Sequence, residues 1–132
     1  MESSMSKIVL DASAILAVIL QEPGYEQLTA ALLAKAVASA VNLAEVQSKL
    51  VSRGWSSEEA WEDATSPTQE IVPFNEDHAQ IAGDLIATTR QLGLSLGDRV
   101  CLALALALNV PVYTADKSWK SLKVKVRIHA IR

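Results

Sequence analysis

The sequence predicts an α/β fold, with a mostly parallel central sheet of four or five strands flanked by helices. Short apolar stretches typical of buried strands alternate along the chain with segments that carry apolar residues at helical spacing. This alternation favours a parallel sheet, because parallel strands need crossover connections, usually helices, between them. The 132 residues include no linker-like segment and are expected to form a single domain over residues 1–132.

In the first half of the chain, the element boundaries follow from turn residues and helix-capping patterns. Apolar residues on both sides of Asp11 predict a buried strand that turns at once into a helix. The stretch Glu22-Pro23-Gly24 is a turn, and leucines at helical spacing predict a second helix after it. Asn42 and Ser56, each with a glutamate three residues later, match the capping box that begins a helix. These signals predict strands over 7–11 and 37–41 and helices over 12–20, 25–35, 42–53 and 56–66.

In the second half, similar signals mark three more strands and two more helices. Pro73 within an apolar stretch indicates a strand end or an edge strand. Asn75 is suited to cap a long helix, and Asp98 is suited to begin the helix with the strongest pattern in the chain. Beyond Lys123, basic residues alternate with apolar ones, which predicts a strand with one solvated face. The predicted elements are strands over 70–74, 110–116 and 123–131 and helices over 75–92 and 99–108.

The composition excludes several classes of protein. The longest apolar runs fall short of the ~18–20 residues that a membrane span needs. Residues 1–6 are polar, lack the pattern of a signal peptide and are expected to form a flexible tail. The lone cysteine, Cys101, lies in an apolar helical run, which indicates a buried structural thiol. The chain is therefore expected to act in the cytoplasm.

The charges are unevenly distributed along a chain whose net charge is −3. Residues 54–89 hold eight acids and no Lys or Arg, whereas residues 117–132 hold six basic residues and no acid. Such a basic segment permits an edge that binds a polyanion while the rest of the surface repels one. A solvated edge strand protected by lysines is an equally good interpretation of the same residues.

Four acidic residues occupy similar places in the predicted fold. Asp11 and Asp116 directly follow strands, and Glu45 and Asp98 lie in the first turns of helices. In a parallel sheet, the strand ends and the N-termini of the following helices lie at one edge, so all four can share a crevice. Three of them also have ordinary explanations: Glu45 as a capping-box residue, Asp98 as an acid favoured by the helix dipole and Asp116 as a turn residue.

Together, the four acids indicate a metal site. Clustered carboxylates repel one another unless a cation holds them. Oxygen ligands without a matching cysteine or histidine cluster point to Mg²⁺ or Mn²⁺. An acidic cluster of this kind suits the metal-assisted hydrolysis of a phosphodiester.

Four stretches of the chain follow, in order, the pattern of a known family: residues 9–14, 42–46, 94–105 and 112–119. They resemble the motifs of PIN-domain ribonucleases and, within that group, those of the VapC-type toxins of prokaryotic toxin–antitoxin pairs. The stretch over 94–105, which begins Leu94-Ser95-Leu96-Gly97-Asp98-Arg99, is the most specific of the four. The resemblance spans nearly the whole chain and implies a three-layer PIN-like fold.

The resemblance also implies an activity, a site and partners. It implies a Mg²⁺- or Mn²⁺-dependent endoribonuclease toxin that cleaves structured RNA, commonly tRNA or rRNA, and so stops translation. The metal-binding and water-activating centre would consist of Asp11, Glu45, Asp98 and Asp116, supported by the hydroxyls of Ser13 and Thr114. Such toxins form homodimers and are held inactive by a cognate VapB-like antitoxin. The basic residues expected to contact RNA are Arg99, Lys117, Lys123, Lys125 and Arg127.

Two other functions remain open from the sequence. A Mg²⁺-binding phosphotransfer or phosphatase-like domain also has an aspartate after its first strand. The phosphatase pattern has a second aspartate two residues later, where this chain has Ser13, and a receiver domain needs an acidic pair near the first strand, where Leu10 and Ala12 flank Asp11. A non-catalytic PIN-like RNA-binding module would keep the fold but has no reason to keep four mutually repelling charges.

Overall fold

In the computed structural model, which describes residues 6–132, a parallel sheet forms the centre of the chain. Its strands are β1 (Ile8–Leu10), β2 (Ala36–Ser39), β3 (Glu70–Val72), β4 (Val112–Thr114) and β5 (Ile128–Ala130). Their order across the sheet is β3-β2-β1-β4-β5, and all neighbouring pairs are parallel. The predicted α/β class and the parallel sheet are therefore confirmed. The predicted tail over residues 1–6 lies outside the described residues, apart from Ser6.

The helices follow the strands as the crossover rule requires. They are α1 (Ala12–Leu20), α2 (Ala30–Leu33), α3 (Ala40–Ser52), α4 (Ser57–Thr65), α5 (Glu76–Asp84), α6 (Ile86–Thr89) and α7 (Leu96–Leu108). Short 3₁₀ turns cover Tyr25–Gln27, Arg90–Leu92 and Lys117–Ser121. Across residues 6–132, none of the helices has the length and apolar character needed to cross a membrane.

The sheet has an apolar layer of helices on each face. Alternate residues of β1 point to opposite faces, because side chains alternate along a strand. Ile8 and Leu10 pack into a core with α1, α3 and α4, whereas Val9 packs into a second core with α5 and α7. Each fully buried Leu, Ile or Val side chain stabilises the fold by roughly 1.5–3 kcal/mol. Two cores on one sheet make the three-layer arrangement, as predicted.

All five strands are shorter than predicted, most of all the last, and one predicted helix is broken. The helix predicted over 25–35 is broken into a 3₁₀ turn and α2, because the Thr29 hydroxyl accepts a hydrogen bond from the Leu32 backbone N–H and begins a new helix there. The strand predicted over 123–131 pairs only at Ile128–Ala130. Its partner β4 has three residues and is preceded by Pro111, which has no N–H to extend the ladder.

Several helix starts also differ from their predictions. Ser56 and Asn75 cap helices as predicted, and the Ser56–Glu59 capping box is present. The capping box predicted at Asn42 and Glu45 is wrong, because Ser39 caps α3 and Asn42 already lies inside its first turn. The last long helix begins at Leu96 with Ser95 as its cap, and the helix predicted over 75–92 is divided into α5, α6 and a 3₁₀ turn.

Candidate functional site

Asp11 lies at the carboxyl end of β1, where it caps α1. Its Oδ1 accepts hydrogen bonds from the Ala14 backbone N–H at 2.8 Å and from the Ser13 hydroxyl at 2.8 Å. Its Oδ2 accepts one from the Thr114 hydroxyl at 2.7 Å. Both hydroxyls that were predicted to support the site therefore contact Asp11. These contacts fix the carboxylate at the point where β1 and β4 end.

The environment of Asp11 disfavours its charge. The side chain is only 4% exposed. Desolvation by this burial raises the pKa of Asp11 to about 6, although the hydrogen bonds from Ala14, Thr114 and Ser13 oppose the rise. The negative charge of Asp98 is a smaller contribution to the same rise. A cation bound beside Asp11 would favour its ionised form.

Glu45 is held on α3 by a buried amide and by the absence of a side chain at Gly97. The Asn42 Nδ2 donates to Glu45 Oε1 at 2.8 Å and to the Gly97 carbonyl oxygen at 2.9 Å. Both partners are acceptors, which fixes the orientation of the amide. A Cβ at Gly97 would lie far inside van der Waals contact of Glu45 Oε2. The Glu45 carboxylate therefore occupies space that only a glycine on α7 leaves open.

Asp98 lies in the first turn of α7, where it completes a capping box. Its Oδ2 accepts a hydrogen bond from the Ser95 backbone N–H at 2.9 Å, and the Ser95 hydroxyl accepts one from the Asp98 N–H at 3.2 Å. One turn further on, Cys101 is fully buried as a free thiol, as predicted. Burial raises the pKa of Cys101 well above its usual range, and the negative charges of Asp11, Asp98 and Glu45 add to the rise. The thiol is thus neutral, and the charges of the three carboxylates act on it.

These three carboxylates line one cavity of about 410 Å³ at the carboxyl edge of the sheet. The same cavity is lined by basic and acidic side chains that the sequence patterns did not single out: Glu22, Lys49, Arg53 and Arg132. Within residues 6–132, none of these basic groups forms an ion pair with a carboxylate. The cavity, here called the carboxylate cavity, therefore contains acidic and basic side chains that are not paired with one another. Lys49 and Arg53 follow Glu45 at helical spacing, so periodicity along α3 could have identified them.

Asp116 has a different position from the other three predicted acids. It is exposed, and its Oδ1 accepts hydrogen bonds from the Ser118 backbone N–H at 3.0 Å and the Ser118 hydroxyl at 2.7 Å. It lines an adjacent cavity of about 540 Å³ with Lys117. Ser13 and Arg132 line both cavities, so Asp116 lies beside the carboxylate cavity rather than in its wall.

The basic residues predicted to contact RNA are spread over four places. Arg99 Nη1 donates to the Ala82 carbonyl oxygen at 2.8 Å, which ties α7 to α5. Lys117 lies at the carboxyl edge beside Asp116. Arg127 directly precedes β5 and so lies at the opposite, amino edge of the sheet. Lys123 and Lys125 are exposed on the segment between these two places.

The tryptophans, to which the sequence assigned no specific role, have different environments. Trp119 is 1% exposed and belongs to the core shared with α7. Trp55 packs against the other core and donates from Nε1 to Asp63 Oδ2 at 2.8 Å. Trp61 on α4 is 44% exposed. Two of the three therefore have packing roles.

The donor set of the carboxylate cavity fits a hard divalent cation. Asp11, Glu45 and Asp98 offer only oxygen, which suits Mg²⁺ or Mn²⁺. Neither Glu45 Oε2 nor Asp98 Oδ1 accepts a hydrogen bond from residues 6–132, so each carboxylate has an oxygen available. No three acidic, histidine or cysteine side chains in the described part of the chain are close enough to hold an ion as they stand. Binding would therefore require these side chains to close on the ion.

A three-layer fold with carboxylates at the carboxyl edge of a parallel sheet defines an α/β domain with a ligand crevice at its strand ends. Comparison with protein-family models gives the particular family, because the PIN domain matches residues 8–125. The chain belongs to the PIN-domain family. A comparison with curated proteins finds no match.

Solved structures with this fold cover nearly the whole chain. The DNA-bound VapBC complex from Salmonella typhimurium matches with a TM-score of 0.75 at 16% identity, covering 97% of this chain and 100% of the other. VapBC2 from Rickettsia felis, bound to a promoter fragment, matches with a TM-score of 0.70 at 23% identity, covering 93% and 97%. VapC20 from Mycobacterium tuberculosis, described as a toxin that cleaves the sarcin–ricin loop, matches at 0.68 and 18%, covering 92% and 99%. At these identities, the likeness shows a shared fold.

Proposed function

We propose that this chain is a divalent-metal-dependent endoribonuclease of the VapC toxin type, which cuts structured RNA such as tRNA or rRNA. The observation that carries the proposal is the carboxylate cavity, where Asp11, Glu45 and Asp98 meet without an ion pair. Membership of the PIN-domain family and the fold shared with VapC20 support it. A phosphodiester is the substrate class that such a cavity fits, since its cations can bind the phosphates while its acids hold a metal.

Asp11 and Asp98 are proposed as the inner ligands for Mg²⁺ or Mn²⁺, with Glu45 completing the acidic centre and Asp116 acting from the adjacent cavity. When bound, the ion would activate water and neutralise charge on the phosphate. Ser13 and Thr114 hold the Asp11 carboxylate in place through their hydroxyl hydrogen bonds. Asn42 orients Glu45 in the same way.

The basic residues of the cavity have a separate role in the proposal. Lys49 lies one turn beyond Glu45 on α3 and Arg53 caps the end of that helix, so an RNA phosphate that reaches the acids passes them. Arg132 Nη1 donates to the Pro23 carbonyl oxygen at 3.0 Å, which holds its guanidinium at the rim. Phosphate contacts of this kind position a nucleic acid without reading its bases. Of the basic residues predicted from the sequence, Lys117 lines the cavity that adjoins the carboxylate cavity.

The proposed partners are a VapB-like antitoxin that holds the toxin inactive and a second copy of the chain in a homodimer. Complexes of the antitoxin kind are described for the VapBC proteins that share this fold. The proposed place of action is the cytoplasm, where tRNA and ribosomes are found. Co-expression with the antitoxin is expected to restore growth to cells that produce the free chain.

The proposal is tested by mapping RNA 5′ ends after brief induction of the chain in bacterial cells. We expect new ends at a small number of sites in tRNA or rRNA, together with growth arrest. The Asp98→Asn variant, produced at the same level, is expected to generate no such ends. If neither protein creates new ends while both bind RNA, the chain is a non-catalytic module and the nuclease proposal is wrong.

A further inference from the structure

A second cavity, of about 460 Å³, lies at the amino ends of the strands. Its lining comes largely from residues that precede or begin β1, β2, β4 and β5, including Lys7, Lys35, Pro111 and Arg127. Within the described chain, no residue lines both this cavity and the carboxylate cavity. Because β1 has three residues and a strand rises about 3.3 Å per residue, the two edges are about 10 Å apart. The cavity, here called the amino-edge pocket, is thus a separate feature of the molecule.

The amino-edge pocket is positively charged, although the chain as a whole carries −3. Three basic side chains and His129 line it, and none of its lining residues within 6–132 is acidic. Lys7 is paired with Glu70 at 2.8 Å, but Lys35 and Arg127 form no ion pair or side-chain hydrogen bond with residues 6–132. Lys35 is also half-buried. Cations that converge on a partly enclosed space raise the local concentration of anions.

An aromatic surface lies beside these cations. Tyr113 and His129 occupy paired positions on β4 and β5, and their rings stack with centroids 4.6 Å apart at an angle of 15°. Burial lowers the pKa of His129 below its usual 6.5, and the positive charges of Arg127 and Lys120 lower it further. The imidazole is therefore a neutral, flat ring at pH 7. Aromatic rings next to basic side chains form the arrangement that binds the base and phosphate of single-stranded nucleic acids.

We propose that the amino-edge pocket binds a nucleotide unit, with its phosphate held by Lys35 and Arg127 and its base stacked against the Tyr113–His129 pair. A phosphate-bearing base can belong to an RNA strand or to a free nucleotide. An RNA strand is the ligand that we expect, because the two edges of the sheet are only about 10 Å apart along β1, so that one RNA chain can contact both edges. This expectation for the strand rests on the proposed function, whereas the nucleotide pocket itself does not.

The proposal is tested by NMR titration of the full-length chain in EDTA, so that cleavage and metal binding have no part in the result. The probes are AMP, inorganic phosphate and a short 5′-phosphorylated single-stranded RNA. We expect AMP to shift the ring resonances of both Tyr113 and His129, which is one of only two histidines in the chain. The RNA is expected to bind more tightly than AMP, and inorganic phosphate more weakly.

Lys35→Glu is expected to raise the Kd for AMP at least about tenfold, because a charge-assisted contact of about 1.5 kcal/mol or more is lost. The matched control is Arg90→Glu, which makes the same charge reversal at an exposed residue outside the pocket, with no role assigned in binding. Its Kd is expected to change by no more than about twofold, as screened surface charges do. Circular dichroism of both variants checks that they are folded.

Three results would overturn the proposal. AMP at millimolar concentration could leave both ring resonances unshifted. Inorganic phosphate could bind as tightly as AMP, which would make the pocket an anion site without base stacking. Arg90→Glu could weaken binding as much as Lys35→Glu, which would reduce the effect to general surface charge. Tighter binding of AMP than of RNA would instead support the pocket with a free nucleotide as its ligand. Because binding is measured without cleavage, all these results are independent of the proposed nuclease activity.

Discussion

The two edges of the sheet have opposite chemistry, although one three-residue strand separates them. At the carboxyl edge, Asp11 is almost fully buried and shares a cavity with Glu45 and Asp98. At the amino edge, Lys35 and Arg127 line a pocket without an acid among the described residues. The net charge of −3 describes neither edge. A parallel sheet thus sorts charged groups by whether they follow or precede a strand, and this placement decides which ligand each edge can bind.

The largest expected effect concerns the acidic edge. Asp11→Asn is expected to lower the rate of RNA cleavage by at least about 100-fold, the upper end of what even outer-shell substitutions cost metal enzymes. Asn can still cap α1, so the fold is retained. The measurement is the rate of cleavage by the purified variant. Asp84→Asn removes a charge from an exposed helix position and should cleave at the wild-type rate. Cleavage by Asp11→Asn at a comparable rate would falsify the assignment of Asp11.

The buried charge of Asp11 also predicts a pH dependence of stability. The folded protein holds the Asp11 proton with a pKa of about 6, against 3.8 for an ordinary aspartate. Because the folded state binds the proton more tightly, the free energy of unfolding should fall as pH rises from about 4 to about 6. The total decrease is about 3 kcal/mol at an apparent 1.36 kcal/mol per pKa unit.

This pH dependence of the free energy of unfolding is measured by chemical denaturation of the wild type and Asp11→Asn between pH 4 and pH 7, without divalent ions. The difference between the two proteins isolates Asp11 from the other carboxylates. We expect the variant to gain stability relative to the wild type as pH rises. A difference that stays constant with pH would show that the carboxylate is not held out of water.

A smaller effect is expected from filling the space that Gly97 leaves for the Glu45 carboxylate. Gly97→Ala places a methyl group where the Glu45 carboxylate lies, so the carboxylate must move. We expect the rate of cleavage to fall by about tenfold, as when a supporting contact of a metal ligand is lost. The matched control is Gly83→Ala, since a Cβ at this helical glycine meets no atom within 4 Å. That variant should keep its activity and gain about 0.5–1 kcal/mol of stability. Equal activity in both variants would show that the position of the Glu45 carboxylate does not depend on Gly97.

The smallest effect concerns the basic residues that line the carboxylate cavity. Lys49→Gln and Arg53→Gln should each weaken RNA binding a few-fold and reduce the slope of log K against log salt by about 1. Measuring affinity over a range of salt concentrations in an Asp98→Asn background avoids cleavage. Lys125→Gln, on the exposed segment between the edges, serves as the comparison. An unchanged slope for Lys49 and Arg53 would remove them from the path of the RNA.

Much of the fold could be predicted because local patterns and tertiary structure agree. Apolar stretches gave the strands, and Ser56 and Asn75 begin helices as their patterns indicate. The start of α3 could not be predicted from the same pattern. The Asn42 amide reaches 55 residues along the chain to the Gly97 carbonyl oxygen, so it serves tertiary structure rather than a cap. Likewise, the shortness of β5 depends on the length of β4, which the sequence of β5 cannot show.

For the site, chain order relative to strands was the informative signal. Chain order predicted that Asp11, Glu45 and Asp98 could share a crevice, and they line one cavity. Ser13 and Thr114, which contact Asp11, were identified only through the family resemblance. Chain order could not show that Asp116 turns toward Ser118, because that choice depends on local hydrogen bonds in a 3₁₀ turn. Nor could composition show that Arg127 lies at the opposite edge from Lys117, since both belong to one basic segment.

The central claim is that the carboxylate cavity is a metal-dependent centre for cutting RNA. It is tested most directly by removing divalent ions from the purified chain with EDTA and then adding back Mg²⁺ or Mn²⁺ while cleavage of a structured RNA is followed. The account predicts no cleavage in EDTA, recovery with either ion, and no recovery for Asp98→Asn. RNA cleavage that persists undiminished in EDTA would contradict it.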